Sequence, residues 1–247
     1  MENSTYVALS RQAGLWRQME VVANNMANAN TPAYKAEQVM FTDYVAKMKS
    51  ADTPFGQNVS FVRDLATIRD TREGPMTMTN APLDVAIHGE GYFTIDTPTG
   101  QRYSREGHFR LDENGMVVTS SGYPVLQQND TPIILAPNES QITIAGDGTV
   151  STENGIIGKF KIVKFDNEQD LRKAGDGTYQ TTANPTAVDV PNLSQGMLEE
   201  SNVQPIVEMT HMMTIMRNYE GVQLMLQNEY DRQMKAMPIL SQSQQTA

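Results

Sequence analysis

Apolar positions recur every seven residues near both ends of the chain. Leu9, Trp16 and Ala23 are seven apart, Met19 and Met26 fall three after the last two, and Ala13 fills a gap. This is the stripe of an amphipathic helix with a/d-like spacing. Ser4 or Thr5 is placed to cap its start. Asn24, Asn25, Asn28 and Asn30 are poor residues for a helix interior and mark its end, and Pro32 disfavours helix at Thr31. A second, longer stripe runs over 205–237. Met209, Met216, Gln223, Tyr230 and Met237 recur by sevens, with Met212, Tyr219, Leu226 and Gln233 three later. Ser201 or Asn202 is the expected cap and Pro205 falls near the first turn. Gly221 lowers local helix propensity by about 1 kcal/mol relative to Ala. Isolated helices of this kind are marginal in water, so both ends are expected to gain order on assembly.

Between the stripes the period changes to two from about residue 82, with frequent turn residues. Val85 and Ile87 alternate before Gly89-Glu90-Gly91, which turns into Tyr92–Ile95. Residues 108–111 and 116–119 flank Asp112-Glu113-Asn114-Gly115, a hairpin signal because Asn-Gly supplies positive φ at low cost. Asp147-Gly148 joins 141–145 to 149–152, Asn154-Gly155 precedes a strand over 156–165 (IIGKFKIVKF), and Asp176-Gly177 marks a further turn. Residues 36–81 are less orderly. Phe41, Tyr44, Val45 and Met48 predict a short helical stretch, 50–60 reads as loop with Pro54 and Gly56, and the remainder reads as an extended connector. The fold class is therefore α+β, with paired terminal helices around a β-rich centre. Two apolar stripes at opposite termini, neither able to bury itself alone, predict ends that pair with each other and with neighbouring copies.

Charge and composition narrow the function. The net charge of −10 argues against nucleic acid, which needs a basic face, and disfavours an anionic membrane surface. No run of apolar residues is long enough to span a bilayer, and the N-terminal residues lack the pattern of a cleaved secretory signal. With no cysteine, disulfides and thiolate chemistry are excluded. Met, unbranched and adaptable, fills much of the second stripe, which suits several non-identical neighbours better than one rigid dimer. His88, His108 and His211 lack metal-ligand spacing. No phosphate loop or nucleophile elbow is present. The acidic turns near Asp112 and Asp147 lack the spacing of a calcium loop. No catalytic residues, metal or cofactor are expected.

Four segments in order carry a resemblance. ANNMANANTPAYKA (23–36), PLDVAIHGEGYFTI (82–95), YSREGHFRLDENGMVVTSSGYPVL (103–126) and QGMLEESNVQPIVEMTHMM (195–213) resemble the blocks of the bacterial flagellar rod and hook proteins. Any one block is weak evidence; four in order over nearly the whole chain are specific. Met26, Ala33 and Tyr34 stand where the family prefers Leu, Gly and Phe, and Ala33 occupies a position where a turn would favour Gly. Chain length fits a proximal-rod member, with the distal-rod type as close alternative.

The resemblance implies residues 1–35 with 201–247 as a helical, coiled-coil-like axial domain. It implies 36–81 with 180–200 as a connecting region and 82–179 as an outer β-rich domain. It also implies a structural subunit of the periplasmic rod that is exported unfolded through the flagellar export apparatus. Its partners would be other rod subunits and its own copies. The assembly interface would be formed by Leu9, Trp16, Met19, Ala23 and Met26 with Met209, Met212, Met216, Tyr219, Leu226 and Tyr230. A competing reading is an extracytoplasmic binding module dimerised by its helices.

Overall fold

The computed structural model describes residues 2–48, 57–136 and 141–243. Two helices enclose a β-rich middle in sequence, an α+β fold: α1 spans Glu2–Ala27 and α2 spans Pro205–Ser243. Because α1 begins at Glu2, Ser4 and Thr5 lie inside it rather than capping it. α2 begins at Pro205, where the ring's fixed φ suits a first helical position and its missing N–H costs no bond. Gln204 accepts the first intrahelical bond, from the Glu208 amide at 3.0 Å, so neither Ser201 nor Asn202 is the cap.

The chain divides into two compact units. One contains 1–27, 37–68 and 204–247; the other contains 28–36 and 69–203. In the first, α1 and α2 pack together within the single chain. The segment expected to be helical around Phe41–Met48 is instead the strand Glu37–Met48, paired with Gln57–Arg69 in a two-stranded ribbon. Val39, Phe41, Thr42, Tyr44 and Val45 supply a density of β-formers that outweighs the helical spacing. Most of the loop expected over 50–60, with Pro54 and Gly56, lies outside the described residues.

The β-rich unit is built on a six-stranded antiparallel sheet. Its order is Arg172–Gly175, Thr178–Gln180, Gly100–Ser104, Tyr92–Thr97, Ile162–Lys164 and Thr186–Ala187. Tyr92–Thr97 is covered on both faces. Phe93 and Ile162 enter a large aliphatic and aromatic cluster, whereas Tyr92 and Val163 enter a second one with Tyr103, Phe165 and Tyr179. In the first cluster, Phe93 meets Phe109 and Phe160 edge-on, with centroids 5.0 and 5.5 Å away.

The predicted turns hold. Phe109–Leu111 pairs with Val117–Thr119, and the Asp112 carboxylate accepts from the amides of Asn114 at 2.9 Å and Met116 at 2.7 Å. Asp176 and Gly177 both take positive φ, 51° and 66°. The expected strand over 156–165 is two strands, Gly155–Lys159 and Ile162–Lys164, which belong to different sheets. The change of partner occurs at buried Phe160. Its amide donates to the Gly148 carbonyl at 2.9 Å, while that of Lys161 donates to Leu126 at 3.0 Å.

Candidate assembly surface and the clamp formed by the signature segments

In the helical unit, Ala8, Leu15 and Val22 of α1 pack with Ile215 and Val222 of α2, flanked by half-buried Met19, Met212, Tyr219 and Leu226. This buried row is itself spaced by sevens, but it is one residue out of phase with Leu9, Trp16, Ala23 and Met216. Adjacent helical residues point about 100° apart, so the two rows face different ways. The residues expected at an assembly interface are thereby divided. Met19, Met212, Tyr219 and Leu226 line the intrachain seam, Met26 is half-buried, and Leu9, Trp16, Ala23, Met209, Met216 and Tyr230 are exposed. Trp16 is 55% and Tyr230 61% exposed, high values for side chains this large. The Trp16 indole donates to Glu20 at 3.1 Å, and its ring centroid lies 6.3 Å from that of Tyr219.

Asn25, expected to help end the helix, lies inside α1 and is buried. Its amide nitrogen donates to the Glu37 carbonyl at 2.8 Å, and its oxygen accepts from the Glu37 amide at 2.9 Å. One side chain thus mimics a strand partner and fixes the first residue of Glu37–Met48 to α1.

In the β-rich unit, two signature segments from opposite ends of the chain meet. Met76–Met78 pairs with Met197–Glu199, and this pairing presents Glu199, nearly fully buried, to two cations. Lys35 Nζ donates to Glu199 Oε1 and Arg105 Nε to Glu199 Oε2, each at 2.6 Å. The Gly74 amide adds a third donor at 2.9 Å. A Cβ at Gly74 would lie 2.0 Å from the Glu200 carbonyl oxygen, so the segment can pass only without a side chain there. Lys35 also donates to the Arg72 carbonyl at 2.7 Å, and Arg105 to the Gly89 carbonyl at 2.7 Å.

Burial favours a neutral Glu199, but Arg105 and Lys35 outweigh it and hold the carboxyl below the usual glutamate range. Burial is the largest influence on Lys35 and lowers its pKa against the pull of Glu199, with Arg105 adding to the fall. Asn202 completes the join. Its side-chain oxygen accepts from the Ala36 amide at 2.7 Å, and its nitrogen donates to the carbonyls of Asp70 at 2.9 Å and Arg72 at 3.0 Å. The Ala33 amide donates to the Glu199 carbonyl at 2.8 Å. Ala33 itself is buried with φ of 56°, so the turn that favours Gly is made here by Ala. The sequence motifs alone do not reveal that Lys35, Arg105, Glu199 and Asn202 bond one another's segments. The available signal was weak, because Arg105 and Glu199 stand beside the further charges Glu106 and Glu200 in their segments.

The histidines are placed separately. His108 Nδ1 lies 2.6 Å from Asp84 and His88 Nε2 lies 3.0 Å from Ser194 Oγ, while His211 is on α2. Among the described residues no group of three or more potential ligands is positioned to hold a metal. Among the described residues no helix is long and apolar enough to cross a membrane.

The chain thus combines two terminal helices that leave apolar rows exposed with a β-rich unit closed by segments from both ends. Comparison with known proteins gives the family. Residues 6–35 match the flagella basal body rod protein family, 86–152 the flagellar hook protein FlgE/F/G D1 domain, and 194–237 the flagellar basal body rod FlgEFG protein C-terminal family. The chain is 40% identical over 231 residues to the flagellar basal-body rod protein FlgF of Caulobacter vibrioides, covering 92% of this chain and 94% of the relative. It is 34% identical to FlgF of Mesorhizobium japonicum, covering 90% of each. It is 31% identical to the flagellar basal-body rod protein FlgG of Bacillus subtilis, covering 90% of this chain and 92% of the relative. The chain belongs to the FlgE/F/G family of flagellar hook and basal-body rod proteins; it is a structural protein, not an enzyme.

Proposed function

We propose that this chain is a FlgF-type subunit of the flagellar rod and enters the rod through the exposed apolar rows of α1 and α2. The observation that carries the reading is the division of the two stripes. Ala8, Leu15, Val22, Ile215 and Val222 satisfy the contact within the chain, leaving Leu9, Trp16, Met209, Met216 and Tyr230 exposed beside it. Burying a large apolar side chain is worth about 1.5–3 kcal/mol, so a row of them supplies a strong drive to associate. In this reading the helices make coiled-coil-like contacts with neighbouring subunits in the axial wall. Met19, Met212, Tyr219 and Leu226 support the exposed row from the seam, and half-buried Met26 lies beyond it on α1. The seven-residue spacing of both buried and exposed rows supports this arrangement. The subunit would be exported through the flagellar export apparatus and reside in the periplasmic part of the basal body, with other rod proteins and its own copies as partners.

The test is complementation of a flagellated strain lacking the gene, with export measured in parallel. Trp16→Ala and Met216→Asp are expected to abolish motility while export and the thermal melt of the purified chain stay near wild type. Asn218 lies roughly half a turn from Met216, and Asn218→Asp is expected to be milder. Equal loss of motility for Met216→Asp and Asn218→Asp, with export intact, would refute the exposed row as the assembly surface.

A further inference from the structure

We infer that the exposed methionines of α2 are an oxidation-sensitive modification site that governs whether the subunit can be incorporated. The inference rests on the reading of this helix face as an assembly surface. Met209, Met213 and Met216 are 53%, 48% and 47% exposed. Their spacing of four and then three puts them on one face. Met234, 48% exposed, follows Met216 by about five full helical turns and returns to the same face. This chain has no cysteine, so thioethers are its only sulfur, and on α2 they are concentrated where a neighbour is expected to pack.

The chemistry is simple. The thioether sulfur attacks a peroxide oxygen, an S–O bond forms, the O–O bond breaks, and the peroxide leaves as water after proton transfer. Sulfur loses an electron pair and the peroxide gains it. The product is a sulfoxide, a polar, chiral group on a formerly apolar chain, and it is reversed by methionine sulfoxide reductases. Sulfoxides on one face replace an adaptable apolar row with hydrogen-bonding groups that the interface must desolvate. The buried row of the intrachain seam, Ala8, Leu15, Val22, Ile215 and Val222, carries no sulfur, and the two methionines that flank it, Met19 and Met212, are half-buried rather than exposed. Oxidation therefore leaves the monomer folded but unfit to assemble until it is repaired.

Met78 provides an internal control. It is 67% exposed on the strand Met76–Met78, away from the helices in sequence and in the β-rich unit. In a strain lacking methionine sulfoxide reductases, the gene is induced during a hydrogen peroxide pulse, and peptides from free subunits and purified basal bodies are compared by mass spectrometry. Sulfoxide at Met209, Met213 and Met216 is expected to be depleted severalfold in basal bodies relative to the free pool, with Met78 sulfoxide equal in both. In a chain carrying Met209→Leu, Met213→Leu, Met216→Leu and Met234→Leu, motility with peroxide is expected to stay close to that same chain's motility without it, whereas wild-type motility falls severalfold. Equal α2 sulfoxide in both pools, or equal peroxide sensitivity of the wild-type and Leu chains, would overturn the inference. Normal motility of Met216→Asp without peroxide would instead overturn the assembly reading on which it stands.

Discussion

Glu199 has two cationic partners, and their removal should not cost the same. Arg105 pairs with the carboxylate through a planar guanidinium and also donates to backbone carbonyls, whereas burial disfavours the charge of Lys35. Arg105→Met leaves carbonyls and carboxylate short of donors and is expected to cost about 3–5 kcal/mol, the range for breaking a buried pair. Lys35→Met leaves Glu199 still neutralised and should cost less, about 1–3 kcal/mol. Denaturant melts of the full chain would order the two, and equal losses would contradict this division of labour.

The pH dependence follows from the same group. Glu199 titrates below its usual value in the folded state, so the unfolded chain takes up its proton first. Its contribution is complete above the ordinary glutamate range and is lost as pH falls through the folded value. Glu199→Gln should therefore be less stable at neutral pH and lose less further stability on acidification below about pH 4.5. At Ala33, a left-handed non-glycine residue costs about 1–3 kcal/mol. Gly would relieve that cost but forfeit a buried methyl worth about 0.8 kcal/mol and some backbone entropy. Ala33→Gly is expected to shift stability by less than about 1 kcal/mol, whereas β-branched Ala33→Val should lose more than about 2 kcal/mol. Thermal melts of both variants check it.

At the scale of elements, α2 carries a weak point that packing does not explain. Gly221 lies in the middle of the helix, and a Cβ placed there meets nothing within 4 Å. Gly221→Ala should raise monomer stability by about 1 kcal/mol, the propensity difference alone. A higher melting temperature with motility lost would mean that a neighbouring subunit approaches the helix backbone at this point. The ribbon Glu37–Met48 with Gln57–Arg69 shows the opposite balance. Its sequence has a helical echo in Phe41, Tyr44, Val45 and Met48, yet it forms strands. The division of IIGKFKIVKF is similar: local propensity makes one long strand, but Phe160 hands the chain from one sheet to another.

For the whole molecule, the β-rich unit takes in the loop 28–36 as well as 69–203. A fragment beginning at 36 and ending at 200 would keep buried Glu199 but lose Lys35 and Asn202. A fragment of 28–203 keeps both ends of the clamp. The longer fragment is expected to melt cooperatively, and the shorter one to be destabilised by several kcal/mol, because a buried charge loses a partner and Ala36 loses an acceptor. Circular dichroism melts of the two fragments decide the point. Equal cooperativity and stability would show that the signature segments do not complete this unit.

The sequence by itself determined the local choices. Heptad spacing fixed two terminal helices, period-two alternation with Asp-Gly and Asn-Gly turns fixed a β-rich middle, and the ordered signature blocks fixed the family, because each depends on residues close together along the chain. It did not determine which of two adjacent heptad rows would face inward. Ala8 and Leu9, or Ile215 and Met216, are equally good candidates on a single helix, and only the partner helix breaks the tie. Nor did it show that Lys35, Arg105 and Glu199 form one cluster. Those residues are far apart in sequence, charged side chains are ordinarily solvated, and burying them is worthwhile only where the fold brings opposite charges and backbone carbonyls within hydrogen-bonding distance.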